Sequence, residues 1–413
     1  MKRRSLLIIG FVWPEPDSTA AGSRMLQLIS FFLKNNFKIT FVSTAAKTDK
    51  TYPLNDLGIQ TYGIELNDPG FDQFLKQIDP DMVLFDRFLT EEQFGWRVAE
   101  ICPDAIRILD TEDLHFLRHA RHQAFKNKEE LSLQYLVNDL TKRELASIYR
   151  CDLTLIISKF EFNLLMNTFK IDKSILIYLP FLLEQMDSEI INSYPSFKVR
   201  KHFMTIGNFR HEPNWNAVLY LKNTIWPMIR AELHDVELHI YGSYASNKVQ
   251  QLHNEKEGFI IKGWAENAKD VFINTKVCLA PLQFGAGLKG KLLDAMLFGT
   301  PSITTNIGAE AMHDDLPWNG FVCDDPIEFA KRSIELYQNI ALWIDAQKKG
   351  VDIVNQCYDK EKYEDILLKT LHLIQNQLEE HRLKNFTGAM LQHHTLKSTK
   401  YLSKWIEEKN KKT

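Results

Sequence analysis

Short apolar runs alternate with amphipathic stretches along most of the chain. The runs Ser5–Gly10, Ile39–Ser43, Met82–Asp86, Ile106–Leu109 and Leu153–Ser158 predict strands of a parallel sheet covered by helices on both faces. Between the first two, Met25, Leu28, Ile29 and Phe32 fall at i, i+3, i+4 and i+7, the single apolar stripe of a helix. The chain therefore opens as a β-α-β unit. The pattern lapses through LPFLLEQMDSEIINSYPSFKVRK, where two prolines and no regular period suggest a crossing between domains that ends near Arg200. Strand-like runs resume at Phe203–Gly207, Val236–Gly242, Phe259–Lys262, Val277–Pro281 and Ser302–Thr305. The second half thus reads as another doubly wound α/β domain. From about Glu361 the chain looks helical throughout and ends in KWIEEKNKKT, read as a solvated helix end.

A length of 413 residues fits two domains, perhaps three. Lys plus Arg number 50 against 53 for Asp plus Glu, so the excess cation that nonspecific nucleic-acid binding needs is missing. Cys102, Cys151, Cys278, Cys323 and Cys357 are scattered and never form CxxC; neither a disulfide framework nor a zinc knuckle is expected, and a reducing, cytoplasmic setting fits. The basic start and apolar run of MKRRSLLIIGFVWPEP mimic a signal peptide, but the run breaks at Pro14 without a small-residue cleavage site and reads as a first strand. With no run near the roughly 20 apolar residues a bilayer requires, any membrane contact is expected to be peripheral.

The segment APLQFGAGLKGKLLDAMLFGTPSITTNIGAEAM, Ala280 to Met312, holds the most chemistry. A strand ends at Pro281, a loop with Gly285, Gly287 and Gly290 follows, and a helix then carries Leu288, Leu292, Ala295 and Met296 on its buried side. Glycines let the backbone approach a phosphate, the helix start favours negative charge, and Lys291 adds a full cation, so a diphosphate is the natural guest. Asp294 lies one turn on, about 5 to 6 Å along the axis, where a carboxylate can accept from ribose hydroxyls. Spacing alone equally allows glycines that serve tight strand-to-helix packing and a solvated Asp294. Neither GxGxxG in the Rossmann position nor GxxxxGK[ST] is present, which removes most support for the dinucleotide-oxidoreductase and P-loop readings.

FGAGLKGKLLDAMLFGTPSITTNIGAEAM resembles the donor-binding stretch of the retaining GT-B glycosyltransferases of family 4, or group 1. IGNFRHEPNWNAVLYL, ELHIYGS and ELASIYRCDLTLIISKFE resemble further parts of that family, and the likeness runs from Met1 to about Glu328. It implies two Rossmann-like domains facing a cleft: residues 1–195 on the acceptor side, 196–380 for the nucleotide-sugar donor, and a helical tail, 381–413, packing back on the first domain. The family's Glu-x7-Glu pair would place its second, ribose-binding acid on Asp294 and its first on Ala286, where no acid stands. Gly285, Gly287, Leu288, Gly290, Lys291, Asp294 and Arg210 are the implied donor-binding residues, with Lys291 and Arg210 also on the phosphates.

Gly22, Ser23 and Arg24 follow the first strand at a helix start and resemble the family's N-terminal glycine loop, facing diphosphate and acceptor; a plain tight turn is the alternative, and Arg24 the sharper candidate. In RILDTEDLHFLRHARH the family's histidine position falls on Glu112 and its aspartate on Asp113 in an ungapped alignment, whereas His115 fits if the turn is rearranged. Asp86 and Arg87 rank below these. Asn214 is expected to cap a helix beginning at Trp215, and Trp405 to dock a terminal helix. His393 and His394 are adjacent and cannot share one helix face, and the paired aspartates beginning at Asp314 and Asp324 lack the D-x-D arrangement of metal-dependent transferases, so no metal is expected.

The resemblance implies a retaining, metal-independent transfer of a sugar from a nucleotide diphosphate sugar to a glycan, lipid-linked or protein acceptor, in cell-surface glycan or glycoconjugate synthesis. No cofactor is expected beyond that donor. An epimerase or hydrolase of GT-B architecture, or an inactive donor-binding assembly subunit suggested by Ala286, are the alternatives.

Overall fold

The computed structural model describes residues 4–393 together with 401, 405 and 409. Two parallel sheets dominate it. The first contains β1 (Ser5–Gly10), β2 (Lys38–Ser43), β3 (Gln60–Gly63), β4 (Met82–Asp86), β5 (Ile106–Asp110), β6 (Leu153–Ile156) and β7 (Leu176–Tyr178), in the order β3-β2-β1-β4-β5-β6-β7. The second contains β8 (Lys201–Ile206), β9 (Leu238–Tyr241), β10 (Phe259–Gly263), β11 (Thr275–Ala280), β12 (Ser302–Thr304) and β13 (Gly320–Val322), in the order β10-β9-β8-β11-β12-β13. Every inner strand matches a strand-like run of the sequence, because a strand buried on both faces is largely uncharged and apolar. β1 shows this directly: Leu6 and Ile8 enter one core cluster, Leu7 and Ile9 the other.

The strands that the apolar pattern missed, β3, β7 and β13, lie at sheet edges and are three or four residues long. β3 and β13 bury too little to leave a run, and β7, buried at Leu176 and Ile177, is too short for one. The first helix, Ala20–Lys34, buries Met25, Leu28, Ile29 and Phe32 as its stripe requires, and the Thr19 hydroxyl caps it by accepting from Gly22 N.

The chain crosses between the sheets twice, and the two crossings lie side by side. Leu183 N donates to Tyr358 O at 2.9 Å, and Lys360 N donates to Leu183 O at 3.0 Å. Beyond this pairing the helix Lys360–Asn376 places Tyr363, Leu367, Leu371 and Ile374 in the core of the first sheet. Packing against the first domain therefore begins inside the 196–380 span, ahead of residue 381. Arg382 then binds Asp152 at 2.7 and 2.8 Å, and Asn385 Nδ2 donates to Tyr149 O at 2.7 Å. Trp405 is 60% exposed, so it does not dock on the core as expected; His394 lies outside the described residues. Among the described residues no helix is long and apolar enough to cross a membrane.

Leu367 is fully buried in the first-domain cluster although it follows the whole second domain in sequence. Leu367→Ala should destabilise the protein by about 2–5 kcal/mol, the usual cost of such a cavity. Urea unfolding measures this, and an unchanged midpoint would contradict the packing.

Candidate active site

In open parallel sheets, ligands bind at the carboxyl ends of strands where the strand order reverses. The reversals fall between β1 and β4 in the first sheet and between β8 and β11 in the second. The loops leaving these strands meet. Gly290, which starts the helix Gly290–Leu297, lies so close to Ala20 that an added Cβ would sit 2.5 Å from the Ala20 Cβ. The starts of the helices Ala20–Lys34 and Gly290–Leu297 thus converge, one from each domain, and their dipoles both favour an anion there. The second helix has no side-chain cap.

Cations cluster beside that point. Lys291 Nζ donates to Asn214 Oδ1 at 2.7 Å, and Lys289 Nζ donates to Gly287 O at 2.8 Å. Burial lowers both ammonium groups to about 8. Asp294, on the same helix as Lys291, is pushed up to about 7 by burial. Arg210 lies on the exposed side of its loop, with its guanidinium 3.8 Å from the centre of the Tyr244 ring; the Tyr244 hydroxyl in turn donates to Glu15 of the first domain at 2.9 Å.

The opposite wall comes from the ends of β4 and β5. Asp113 is ion-paired with Arg118 and lies 3.5 Å from His115 Nε2. Burial alone would raise the Asp113 carboxyl, but Arg118, His115 and His211 hold it down at about 2. His115 is lowered to about 4, first by burial and against the pull of Asp113. Glu112 sits at φ +61° and Arg87 at φ +68°, backbone conformations that side chains seldom adopt and that concentrate at functional sites. Burial, then the charge of Asp110, drives the Glu112 carboxyl well above its usual range.

The glycine loop is gripped by the first domain. Gly287 adopts φ +63°, and a Cβ there would lie 2.8 Å from Asp113 Cβ, so glycine is required on both counts. Glu161 Oε1 accepts from Gly287 N at 2.8 Å and from Leu114 N at 3.1 Å. Arg121 donates to Gly285 O at 2.8 Å and forms a bidentate pair with Glu310 at 2.8 and 2.6 Å. Ala286 packs against the first-domain core, and Leu288 shares a cluster with Ile157.

Two sequence expectations need correction. Arg24 is 1% exposed and locked, donating to Asp110 at 2.9–3.1 Å and to the carbonyls of Leu179 and Pro180 at 2.8 and 3.2 Å, so it ties the first helix to the end of β5 and to the segment after β7 and is not offered to a phosphate. Its neighbours are also structural: an added Cβ on Gly22 would strike the Glu15 backbone, and the Ser23 hydroxyl donates to Pro16 O. Asn214 does not cap; His211 precedes the helix Glu212–Tyr220, and Asn214 instead holds Lys291 and donates to Asn208 O at 3.0 Å. Four residues not foreseen from sequence belong to the site: His211, Lys289, Arg121 and Glu161. His211 follows Arg210 directly and lies among Arg118, Asp113, Lys291 and Lys289, and enclosure in the cleft followed by Arg118 lowers its imidazole to about 4.

His202, Glu237 and His239 form a histidine-carboxylate group at the far end of β8 and β9. Its nitrogens are engaged, His202 Nδ1 by Glu237 N at 3.1 Å and His239 Nε2 by the Glu237 carboxylate at 2.7 Å. That group lies away from the cleft.

Residues 200–339 match the family described as Glycosyl transferases group 1. The second domain is a group 1 glycosyltransferase domain. The chain as a whole has the GT-B fold: a TarM mutant from S. aureus is similar over 89% of this chain and 99% of its own, with a TM-score of 0.68 at 9% identity. The sucrose-phosphate synthase of Thermosynechococcus elongatus is similar over 90% and 99%, with a TM-score of 0.66 at 12% identity. The pneumococcal O-GlcNAc transferase GtfA covers 90% of this chain and 100% of its own, with a TM-score of 0.64 at 12% identity. A protein of Klebsiella pneumoniae described as an uncharacterized 44.6 kDa protein in the cps region is 25% identical over 166 residues, 38% of this chain and 42% of that relative. The group 1 domain contains the glycine loop, Lys289, Lys291 and Asp294; Asp113, His115 and Glu161 lie outside it, in the first domain.

An imidazole that titrates near 4 when folded and near 6.5 when unfolded makes the unfolded chain bind more protons between those values. The stability that His115 contributes is therefore present above about pH 6.5 and lost as the pH falls towards 4, by up to about 3 kcal/mol. His115→Asn should flatten the acid side of the stability profile in urea titrations from pH 7 to 4. Parallel profiles for both proteins would contradict a neutral buried His115.

Proposed function

We propose that the protein is a glycosyltransferase that moves a sugar from a nucleotide diphosphate sugar to a hydroxyl of an acceptor, with retention of anomeric configuration. The observation that carries this reading is the convergence of two helix starts, at Ala20 and Gly290, beside Lys289 and Lys291 within the group 1 domain. A diphosphate placed there meets two dipoles and two cations. As the bond between the anomeric carbon and the phosphate oxygen breaks, negative charge grows on the leaving group, and these preformed positive groups stabilise it. The acceptor oxygen forms the new bond, and its proton passes to the departing phosphate oxygen, so the step balances without a protein base. Arg210 would reach the outer phosphate, and Asp294 the ribose.

The first-domain wall would take the acceptor. Asp113, fixed by Arg118, and neutral His115 would orient a hydroxyl, while the raised Glu112 carboxyl can donate as well as accept. We read the acceptor as a glycan, lipid-linked or protein group in surface glycan synthesis. The TarM mutant and GtfA structures were each solved with UDP, which makes uridine donors the first to test. An inactive donor-binding subunit is favoured by one feature: Ala286 stands at the family's first acidic position and is packed into the first-domain core. Measured turnover with any acceptor would dismiss that alternative.

A nucleoside diphosphate at 100 times its dissociation constant should stabilise the protein by roughly 2.7 kcal/mol, and EDTA should leave that gain intact. Thermal shift measures both. No shift with UDP, GDP, ADP or CDP would remove the donor-site assignment. Lys291→Ala should lower turnover more than donor affinity, because its charge matters most as the leaving group departs. Asp294→Asn should instead weaken donor binding, by roughly 1 to 3 kcal/mol. Wild-type constants in both variants would contradict these roles.

A further inference from the structure

The cations on the two walls of the cleft are held differently. In the first domain Arg24, Arg87 and Arg118 each face a carboxylate, on Asp110, Asp86 and Asp113. In the second domain Lys291 donates to the Asn214 amide, Lys289 donates to the Gly287 carbonyl, and the Arg210 guanidinium lies over the Tyr244 ring. These partners are neutral. Lys289 still feels the charges of Glu310 and Glu161, whereas among the described residues no carboxylate bears on Lys291.

The hold on Lys291 is built from the turn after β8. Asn214 stands in the first turn of the helix Glu212–Tyr220, and its Nδ2 donates to Asn208 O at 3.0 Å. That bond leaves Oδ1 facing Lys291 Nζ at 2.7 Å. The flipped amide would set its NH2 against an ammonium and its oxygen against a carbonyl, so only one orientation is satisfied. The Asn208 side chain in turn accepts from Arg210 N at 2.9 Å, and the same turn thereby places Arg210. Gly207 leaves the room: a Cβ there would lie 2.7 Å from Asn214 Nδ2 and 3.0 Å from Lys291 Nζ.

An ammonium carries several N–H donors. Asn214 takes one, and the others remain for phosphate oxygens together with the whole positive charge. An aspartate in the same place would hold the lysine as firmly, but it would cancel that charge and set another anion beside the diphosphate. We propose that Asn214 is a positioning residue for the sugar transfer: its neutral amide aims Lys291 at the donor diphosphate and leaves the lysine's charge uncancelled. The proposal rests on the donor-site reading above and adds to it a residue that acts on the substrate only through Lys291.

UDP stands for the departed leaving group with its full charge, and uridine lacks that charge. Calorimetric titration with both compares the wild type with Asn214→Asp, Asn214→Ala, Lys291→Ala and the Ala/Ala double variant; GDP, ADP or CDP with its own nucleoside takes their place if that is the nucleotide bound. Asn214→Asp should weaken UDP roughly tenfold or more and leave uridine unchanged. Asn214→Ala should weaken UDP roughly fivefold in the wild type but less than about twofold in Lys291→Ala, because no ammonium is left to position. Parallel loss of UDP and uridine would make Asn214 an element of the fold alone, and equal losses with and without Lys291 would show that it acts through another group; either overturns the proposal. Wild-type UDP affinity in both Asn214 variants would also overturn it while leaving the donor site standing. A wild-type protein that binds no nucleoside diphosphate would remove both readings.

Discussion

One oxygen of a buried carboxylate joins the two halves of this molecule. Glu161 Oε1 accepts amide hydrogens from Leu114 in the first domain and Gly287 in the second. Burial pushes the Glu161 carboxyl up to about 7, so the bond lies in a dry seam where a hydrogen bond is strong and an unpaired amide costly. Because it ends on the glycine loop, the loop's shape is set by the first domain as much as by its own sequence. Arg121 grips the same loop at Gly285, and Asp113 fills the space beside Gly287 that a side chain would need. The site is a joint product of both domains.

The two walls of the cleft differ in charge. Lys289, Lys291 and the start of the helix Gly290–Leu297 gather on one side of the seam, while Asp86, Asp110, Glu112 and Asp113 end β4 and β5 on the other, answered there by Arg24, Arg87 and Arg118. Glu144 is part of the same economy: its two oxygens accept from His115 N and Phe116 N, capping the helix His115–Asn127 and so fixing where His115 and Arg118 stand. Removing charge from one wall therefore changes the protonation of groups on the other. His211, lowered first by burial and then by Arg118 across the seam, shows that coupling within one residue.

Much of this was legible in the sequence, for identifiable reasons. Inner strands announce themselves because both faces need apolar side chains; β3 and β13, partly or largely exposed, do not, and β7, though buried at Leu176 and Ile177, is only three residues long. The glycine loop could be read because glycines, strand end and helix start are contiguous. Arg24 was misread because its partner Asp110 lies 86 residues away, and burial of that pair is a tertiary fact. Glu161 and Arg121 carry no local signature, since a carboxylate or guanidinium on a helix reads as a solvated face until another domain packs on it. Lys289 did have one: a second lysine two residues before Lys291, flanking Gly290.

The interleaving of the two domains has a consequence for how the protein is made. Tyr363, Leu367, Leu371 and Ile374 complete a core cluster of the first domain, but a ribosome delivers them only after the entire second sheet has been synthesised. The nascent first domain must wait with the apolar surface that these side chains cover exposed, while the second domain can collapse as soon as the helix Ile340–Cys357 emerges. Vectorial synthesis therefore reverses the expected order: the half that leaves the ribosome first is the half that finishes folding last.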